Sequence, residues 1–277
     1  MKVIVCVKQV PGTTEVKMNK ETNTIIREGV EAVINPFDSY AVEEGLRIKE
    51  RAGEGKVTVI SMGIPSVADM LKETIALGAD ETVLLSDRAF AGADTLATAY
   101  ALSMAIKKIG EFDIILCGKQ ATDGDTAQVG PSLAEKLGIP HTTYVRKIEE
   151  IKDGVIRCQR MTDSGYEVIE MPLPAVITVV KEINEPRLPS LKGMMRSKKT
   201  EIPVWTLADV GADPELCGLK GSPTQVVETF VPVHNINSEM IEGEPKEQAN
   251  KLVGILLSMQ FHKDESGPDP QSDSQCS

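Results

Sequence analysis

The sequence predicts an α/β fold: a Rossmann-like parallel sheet with flanking helices, a small antiparallel extension, and a C-terminal arm with a final helix. Three observations predict it. Short β-branched apolar runs alternate with helical patterns from Met1 to about Leu137, which is how βαβ units and a parallel sheet are written. From about Thr142 the pattern changes to alternating segments joined at Asp153-Gly154 and Asp163-Ser164-Gly165, turn sequences of antiparallel hairpins. The chain has 277 residues, 41% of them hydrophobic, enough to bury a core around such a sheet.

Each element has its own signal. Val3 to Val7 is an unbroken apolar run, as expected for a strand covered on both faces. Asp38-Ser39 opens a helix, Asp38 capping it, with Glu43 and Glu44 near its start and Gly53 after its end. Val57 to Ile60 is a second strand, and a helix from about Pro65 to Leu77 ends at Gly78. Thr82 to Leu85 is a third strand. Asp94 begins a helix that ends with Lys107-Lys108, bases suited to its negative pole. Ile114 to Cys117 is a fourth strand, followed by a helix that runs to about Leu137. Pro131 fits that helix if it starts near Val129, or kinks it otherwise.

Thr142 to Ile151, Gly154 to Arg160 and Tyr166 to Met171 read as antiparallel strands, and Ala175 to Val180 as a buried strand. Residues 183–200 show no period and read as a long loop, a class of segment that is usually functional. Residues 201–244 read as an irregular extended arm. Pro245 opens an amphipathic helix with Ala249, Leu252, Val253 and Leu256 on one stripe. Residues 262–277 are polar and rich in Pro and Ser, and read as a disordered tail.

Composition excludes several function classes. The formal charge is −11, from 41 acids against 30 bases, which argues against a nucleic-acid footprint. Aromatics are 4% of the chain, too few for a base-stacking surface. No apolar run approaches the roughly 20 residues of a membrane-spanning helix. The N-terminus is too short and too β-branched for a signal peptide. The five cysteines are widely spaced with no CxxC, so no zinc or iron–sulfur site is expected. A cytoplasmic, reduced protein is the expectation. Three histidines, none near a candidate partner, do not support His-based catalysis.

Ligands of parallel α/β sheets bind at the carboxyl ends of strands. After the fourth strand comes Gly118-Lys119-Gln120-Ala121-Thr122-Asp123-Gly124-Asp125-Thr126-Ala127-Gln128-Val129-Gly130-Pro131. Its glycines permit close backbone approach, and the helix start offers free N–H groups to an anion. Thr126 and Gln128 can donate to phosphate oxygens. Asp123 and Asp125 would repel phosphate and are expected to cap or to bind ribose hydroxyls. The same residues also suit an ordinary βα loop. The run is neither a Walker A motif nor GxGxxG.

Asn35-Pro36-Phe37-Asp38 is the second constellation; Asn35 has an amide for a base edge, though the motif also reads as a plain helix start. Cys6 and Met62, at their strand ends, can wall an adenine pocket or simply be core. The third constellation is 184–199. Arg187, Lys192, Arg196, Lys198 and Lys199 occur there with no acid from 187 onward, among apolar Leu188, Leu191, Met194 and Met195. Basic residues around apolar anchors suit a protein-docking loop, or a solvated charge run over core leucines.

Together these segments resemble the β subunit of electron transfer flavoprotein, from Met1 to about Phe261. Val7-Lys8-Gln9-Val10-Pro11, the run from Asn35 to Glu44 and the Gly118–Pro131 loop carry the resemblance. So does Arg160 to Glu167 through Leu173 to Thr178, followed by Asn184-Glu185-Pro186-Arg187. Cys158 and Ser164 depart from the commonest signature residues by small changes. The resemblance implies a nucleotide-binding α/β domain over 1–200, with the antiparallel insertion at 142–171 and a recognition loop at 184–199. Residues 201–261 would be an arm and helix packing on an α subunit.

By the same resemblance the nucleotide, FAD or AMP, is held at Cys6, Asn35, Pro36, Phe37, Asp38, Met62 and the loop from Gly118 to Val129. The Asp123–Pro131 version resembles the electron-bifurcating type, which takes hydride from NADH. It passes electrons to the α-subunit flavin and to ferredoxin or flavodoxin. Arg187, Leu188, Leu191, Lys192, Met194 and Met195 match the loop that docks an acyl-CoA-type dehydrogenase, with Leu191 its apolar anchor. A nucleotide-binding signalling module without redox role is the alternative from another class.

Overall fold

The computed structural model describes residues 1–12, 17–19, 24–26, 32–227, 238 and 240–258. Strands β1 (Lys2–Cys6), β2 (Gln9–Pro11), β3 (Lys17–Asn19), β4 (Thr24–Ile26) and β5 (Ala32–Ile34) precede helix α1 (Pro36–Ala52). Then β6 (Lys56–Met62), α2 (Val67–Leu77), β7 (Glu81–Leu85), α3 (Thr95–Ile109), β8 (Ile114–Gly118) and α4 (Val129–Leu137) alternate. Next come β9 (His141–Lys152), β10 (Val155–Thr162), β11 (Gly165–Pro172) and β12 (Ala175–Val179), then α5 (Leu191–Lys199), β13 (Val204–Trp205), α6 (Leu207–Val210) and α7 (Pro245–Ser258).

The central sheet has the order β11-β10-β9-β12-β8-β1-β6-β7-β13. From β9 to β13 every neighbouring pair is parallel, and β10 and β11 extend the sheet antiparallel beyond β9. The expected antiparallel extension is therefore continuous with the parallel sheet. The first half of β9 pairs parallel with β12, His141 opposite Val176, before its second half turns to β10. β2 pairs with β5, and β3 with β4, as separate two-stranded ribbons.

The continuous apolar run of β1 has a two-sided explanation. Val3, Val5 and Val7 pack with Ala41, Val42 and Leu46 of α1 and with Leu71 and Ile75 of α2. Ile4 and Cys6 face the other way, toward Leu102 and Ile106 of α3 and Leu133 of α4. Each such buried Val, Leu or Ile contributes about 1.5–3 kcal/mol over an exposed one, so the two layers hold the sheet on both faces. Chain order then places the site. After β1 the chain moves outward to β6 and β7, and then returns across β1 to β8 and β12. The order reverses between β1 and β8, and a crevice opens beyond the carboxyl ends of strands at such a switch point.

Several expectations need correction. The first helix starts at Pro36, with Asn35 as N-cap, rather than at Asp38-Ser39. Proline suits that first position because its missing N–H would have had no helical partner. The segment expected as a loop over 183–200 contains α5, and a 3₁₀ turn at Lys181–Ile183 precedes it. The Ser190 hydroxyl caps α5 by accepting from the Gly193 N–H at 3.0 Å. A Cβ at Gly193 would run into the Ala76 backbone, so glycine is what lets α5 lie directly on α2. The region expected to be irregular after 200 contributes β13 to the sheet edge and the capped turn α6.

The chain divides into two compact units, Met1–Thr229 and Phe230–Ser277. In the second, α7 begins at the expected Pro245 and carries Ala249, Leu252, Val253 and Leu256. The expected tail, 262–277, lies outside the described residues.

Candidate functional site

The candidate site lies at the ends of β1 and β8, where Cys6, the last residue of β1, sits beside Cys117. Hydrogen bonding with Cys6, and burial after it, hold the Cys117 thiol well above its usual range, so it stays protonated and packs as a small apolar group. Cys6 and Met62 belong to the same apolar layer, Cys6 buried and Met62 half-buried.

Asp38 joins the two strand ends. It is buried, and its carboxylate accepts the N–H of Lys8 at 2.7 Å and of Gly118 at 3.1 Å. The expected capping role is thus replaced: the side chain turns inward to two orphaned amides just where the strands stop. A Cβ at Gly118 would collide with Asp38 and Phe37, so only glycine permits this closure.

Asn35 is also committed to the protein. Its Nδ2 donates to the Gln120 carbonyl at 2.8 Å, and its Oδ1 accepts from the Thr122 N–H at 3.1 Å. Expected to meet a base edge, the Asn35 amide instead braces the β8–α4 loop across a separation of more than eighty residues. Lys119 lies over the rings of Phe37 and Tyr144, at 5.9 and 5.0 Å from their centroids.

The rest of the loop bends sharply. Its turn over Ala121 is closed by the Asp125 N–H at 2.8 Å, and Asp125 and Ala127 both adopt left-handed backbone, at φ 53° and 54°. Gln128 follows in the right-handed region as the N-cap of α4, with no side-chain cap bond. A left-handed residue followed by a right-handed one gathers successive N–H groups into an anion-binding concavity. The first amides of α4 have no intrahelical partner and add to it. Gly130, in that first turn, packs against the sheet where a Cβ would strike Thr178.

Neither acid of the loop caps α4. Asp123 accepts from the Lys8 ammonium at 2.7 Å, and Asp125 accepts from the Gln120 amide. Gln128 accepts from the Thr95 hydroxyl at 3.1 Å, which ties the start of α3 to the start of α4. Lys8 and Thr95 were not singled out from sequence. Both immediately follow the expected strand and cap signals on the binding side of the sheet, which is the signal that finds them.

The docking candidates form a separate surface. Leu188, Leu191 and Met195 are strongly exposed, at 89%, 76% and 62%, and Met194 and Lys192 also face solvent. Arg187 behaves differently, since its guanidinium is bound to Glu43 and Glu50 of α1. Among the described residues no helix is long and apolar enough to cross a membrane.

Comparison with known proteins places the chain in a family. The family model described as the electron transfer flavoprotein domain matches residues 22–210. An electron transfer flavoprotein subunit beta from Thermoanaerobacterium thermosaccharolyticum is 51% identical over 259 residues, 93% of this chain and 98% of that one. The caffeyl-CoA reductase-Etf complex subunit CarD of Acetobacterium woodii is 47% identical over 258 residues, 93% and 97% of the two chains. Protein FixA of Azotobacter vinelandii is 43% identical over 263 residues, 92% and 93%. The chain belongs to the electron transfer flavoprotein family, as a β subunit, and so implies an α-subunit partner.

Proposed function

We propose that this chain is the β subunit of an electron-bifurcating electron transfer flavoprotein heterodimer of the cytoplasm. It binds FAD in the switch-point crevice and accepts hydride from NADH. Electrons leave toward the α-subunit FAD, which serves an acyl-CoA-type dehydrogenase, and toward ferredoxin or flavodoxin. One observation carries the nucleotide part: the Gly118–Val129 loop brings the concavity at Ala127-Gln128 and the free amides of α4 to the reversal between β1 and β8. This donor set suits a phosphate or pyrophosphate. The bifurcating type is supported by the likeness to CarD, named as part of a caffeyl-CoA reductase-Etf complex.

The flavin supplies the redox chemistry when bound. The residues of this chain hold and orient it. Asp38 fixes the two strand ends, Asn35 braces the loop, Cys6 and Met62 offer an apolar wall, and the α4 amides take the phosphates. The exposed residues from Leu188 to Met195 offer the dehydrogenase an apolar anchor with Lys192 beside it.

Purification of the heterodimer followed by nucleotide extraction tests the reading. FAD alone, with bleaching of flavin absorbance on addition of NADH, supports it. FAD together with an equimolar amount of AMP, and no response to NADH, replaces it with a conventional one-electron shuttle in which AMP is structural.

A further inference from the structure

We infer that Lys8 is a positioning residue of the nucleotide site: its ammonium offsets the Asp123 carboxylate and so allows an acidic loop to receive a phosphate. The inference rests on the nucleotide reading of the crevice and adds to it a residue outside the loop.

Segment 118–129 contains one base, Lys119, and two acids, Asp123 and Asp125, a formal charge of 1 − 2 = −1. Two carboxylates beside a helix start oppose the approach of an anion there. Lys119 spends its charge on the faces of Phe37 and Tyr144. The partner of Asp125 is the neutral amide of Gln120, which satisfies its oxygen without removing its charge. Lys8 supplies the missing cation. Its Nζ lies 2.7 Å from Oδ1 of Asp123, which brings the set to zero.

Lys8 reaches Asp123 from a fixed base. Its N–H donates to Asp38 at 2.7 Å, and its carbonyl accepts the Asn35 N–H at 2.9 Å. The residue is thus held at both backbone polar groups, on a strand end that the core keeps in place. The ion pair itself is partly exposed, with 49% and 35% of the two side chains accessible. A pair of that kind contributes little to folding. Loss of Lys8 should therefore show in binding far more than in stability.

The test uses the heterodimer, stripped of nucleotide and titrated separately with FAD and with AMP. Lys8→Ala should weaken the binding of whichever nucleotide the wild type takes up by roughly tenfold, because one unscreened like charge now faces the phosphate. The loss should shrink as salt is raised. Lys8→Arg should retain most of the affinity, and Asp123→Asn should bind more tightly than wild type. The decisive variant is the double one: adding Asp123→Asn to Lys8→Ala should restore binding to near the wild-type level. Thermal melts of all four variants should stay close to wild type.

Wild-type affinity in Lys8→Ala overturns the inference. So does a double variant as weak as Lys8→Ala alone, since Lys8 would then act on the ligand or the backbone rather than through Asp123. A wild-type heterodimer that takes up neither nucleotide at this chain overturns the nucleotide reading itself, which separates the two failures.

Discussion

The guanidinium of Arg187 is locked onto the buried carboxylate of Glu43, with Nε 2.7 Å from Oε2. Its far edge grips Glu50 two helical turns along, at 2.6 and 3.0 Å, and the Arg187 N–H also reaches Glu43. Burial pushes the Glu43 carboxyl up, but the hydrogen bonds from Arg187 and Arg47 outweigh it and hold it below the usual carboxylate range. Arg187 had been expected on the docking surface. The finding makes it the anchor by which the segment before α5 is fastened to α1. Arg187→Ala removes one of the two guanidinium partners of buried Glu43 and leaves Arg47 as the other, which should cost about 1–2 kcal/mol of stability. Denaturant unfolding measures this. Arg187→Lys should recover only part of it, because an ammonium cannot span both carboxylates.

Asp38 gives a pH dependence of the opposite sign to that of an ordinary ion-paired acid. Burial pushes its carboxyl up to about 7, and the N–H groups of Lys8 and Gly118 only partly counter this. A carboxyl with a raised pKa holds its proton more tightly in the folded state. The fold therefore loses stability as pH rises from about 4, where the unfolded chain ionises, to about 7, and no further above that. Unfolding of wild type and Asp38→Asn across this range isolates the effect, since Glu43 and Glu50 titrate alike in both. The difference should move in favour of the variant by about 2–4 kcal/mol over the window. A difference that stays flat with pH would show that Asp38 titrates like an exposed carboxyl.

What was legible in the sequence follows from how local each signal is. The β8–α4 loop was readable because a glycine-rich run directly follows an apolar strand, and α3 because Asp94 caps it and two lysines end it. Helix α5 was not readable. Four of its nine residues are Lys or Arg, and its stability comes from the Ser190 cap and from contact with α2, more than a hundred residues earlier. The inward turn of Asp38 was equally hidden. It depends on two amides, 30 residues before and 80 after it, that become neighbours only once β1 and β8 are side by side. Asp38, two residues after a proline, looks like a helix cap at short range, and the long-range demand of two orphaned N–H groups wins.

Gly130 sets how closely α4 approaches the sheet. A Cβ there would overlap the Cγ2 of Thr178 and lie 3.9 Å from Cβ of Cys117. Gly130→Ala gains about 1 kcal/mol of helix propensity. Overpacking against a buried, β-branched strand residue costs about 1–3 kcal/mol and should win. The variant should melt lower and, with the first turn of α4 displaced, bind nucleotide more weakly. Adding Thr178→Ser removes the colliding methyl but keeps the hydroxyl that accepts the Tyr144 N–H at 3.2 Å. The double variant should recover both stability and binding.

Leu191 tests the docking surface. It begins α5 with 76% of its surface exposed, just after the Ser190 cap and beside Lys192. A leucine this exposed contributes within about 0.5 kcal/mol to folding. An apolar anchor buried in a partner's pocket is worth about 1–3 kcal/mol of binding, or roughly five- to 150-fold. Leu191→Ala should therefore slow electron transfer between the heterodimer and its dehydrogenase by a factor in that range. Flavin content and melting temperature should stay unchanged. Met195, 62% exposed four residues along the same helix, lies one turn from Leu191, and Met195→Ala should add to the loss. Loss of flavin in Leu191→Ala would instead make the segment part of the nucleotide site's support. The two proposed sites are separable because Arg187 fastens the segment before α5 to α1 through Glu43 and Glu50, while Asp38 holds the ends of β1 and β8 from the first turn of the same helix.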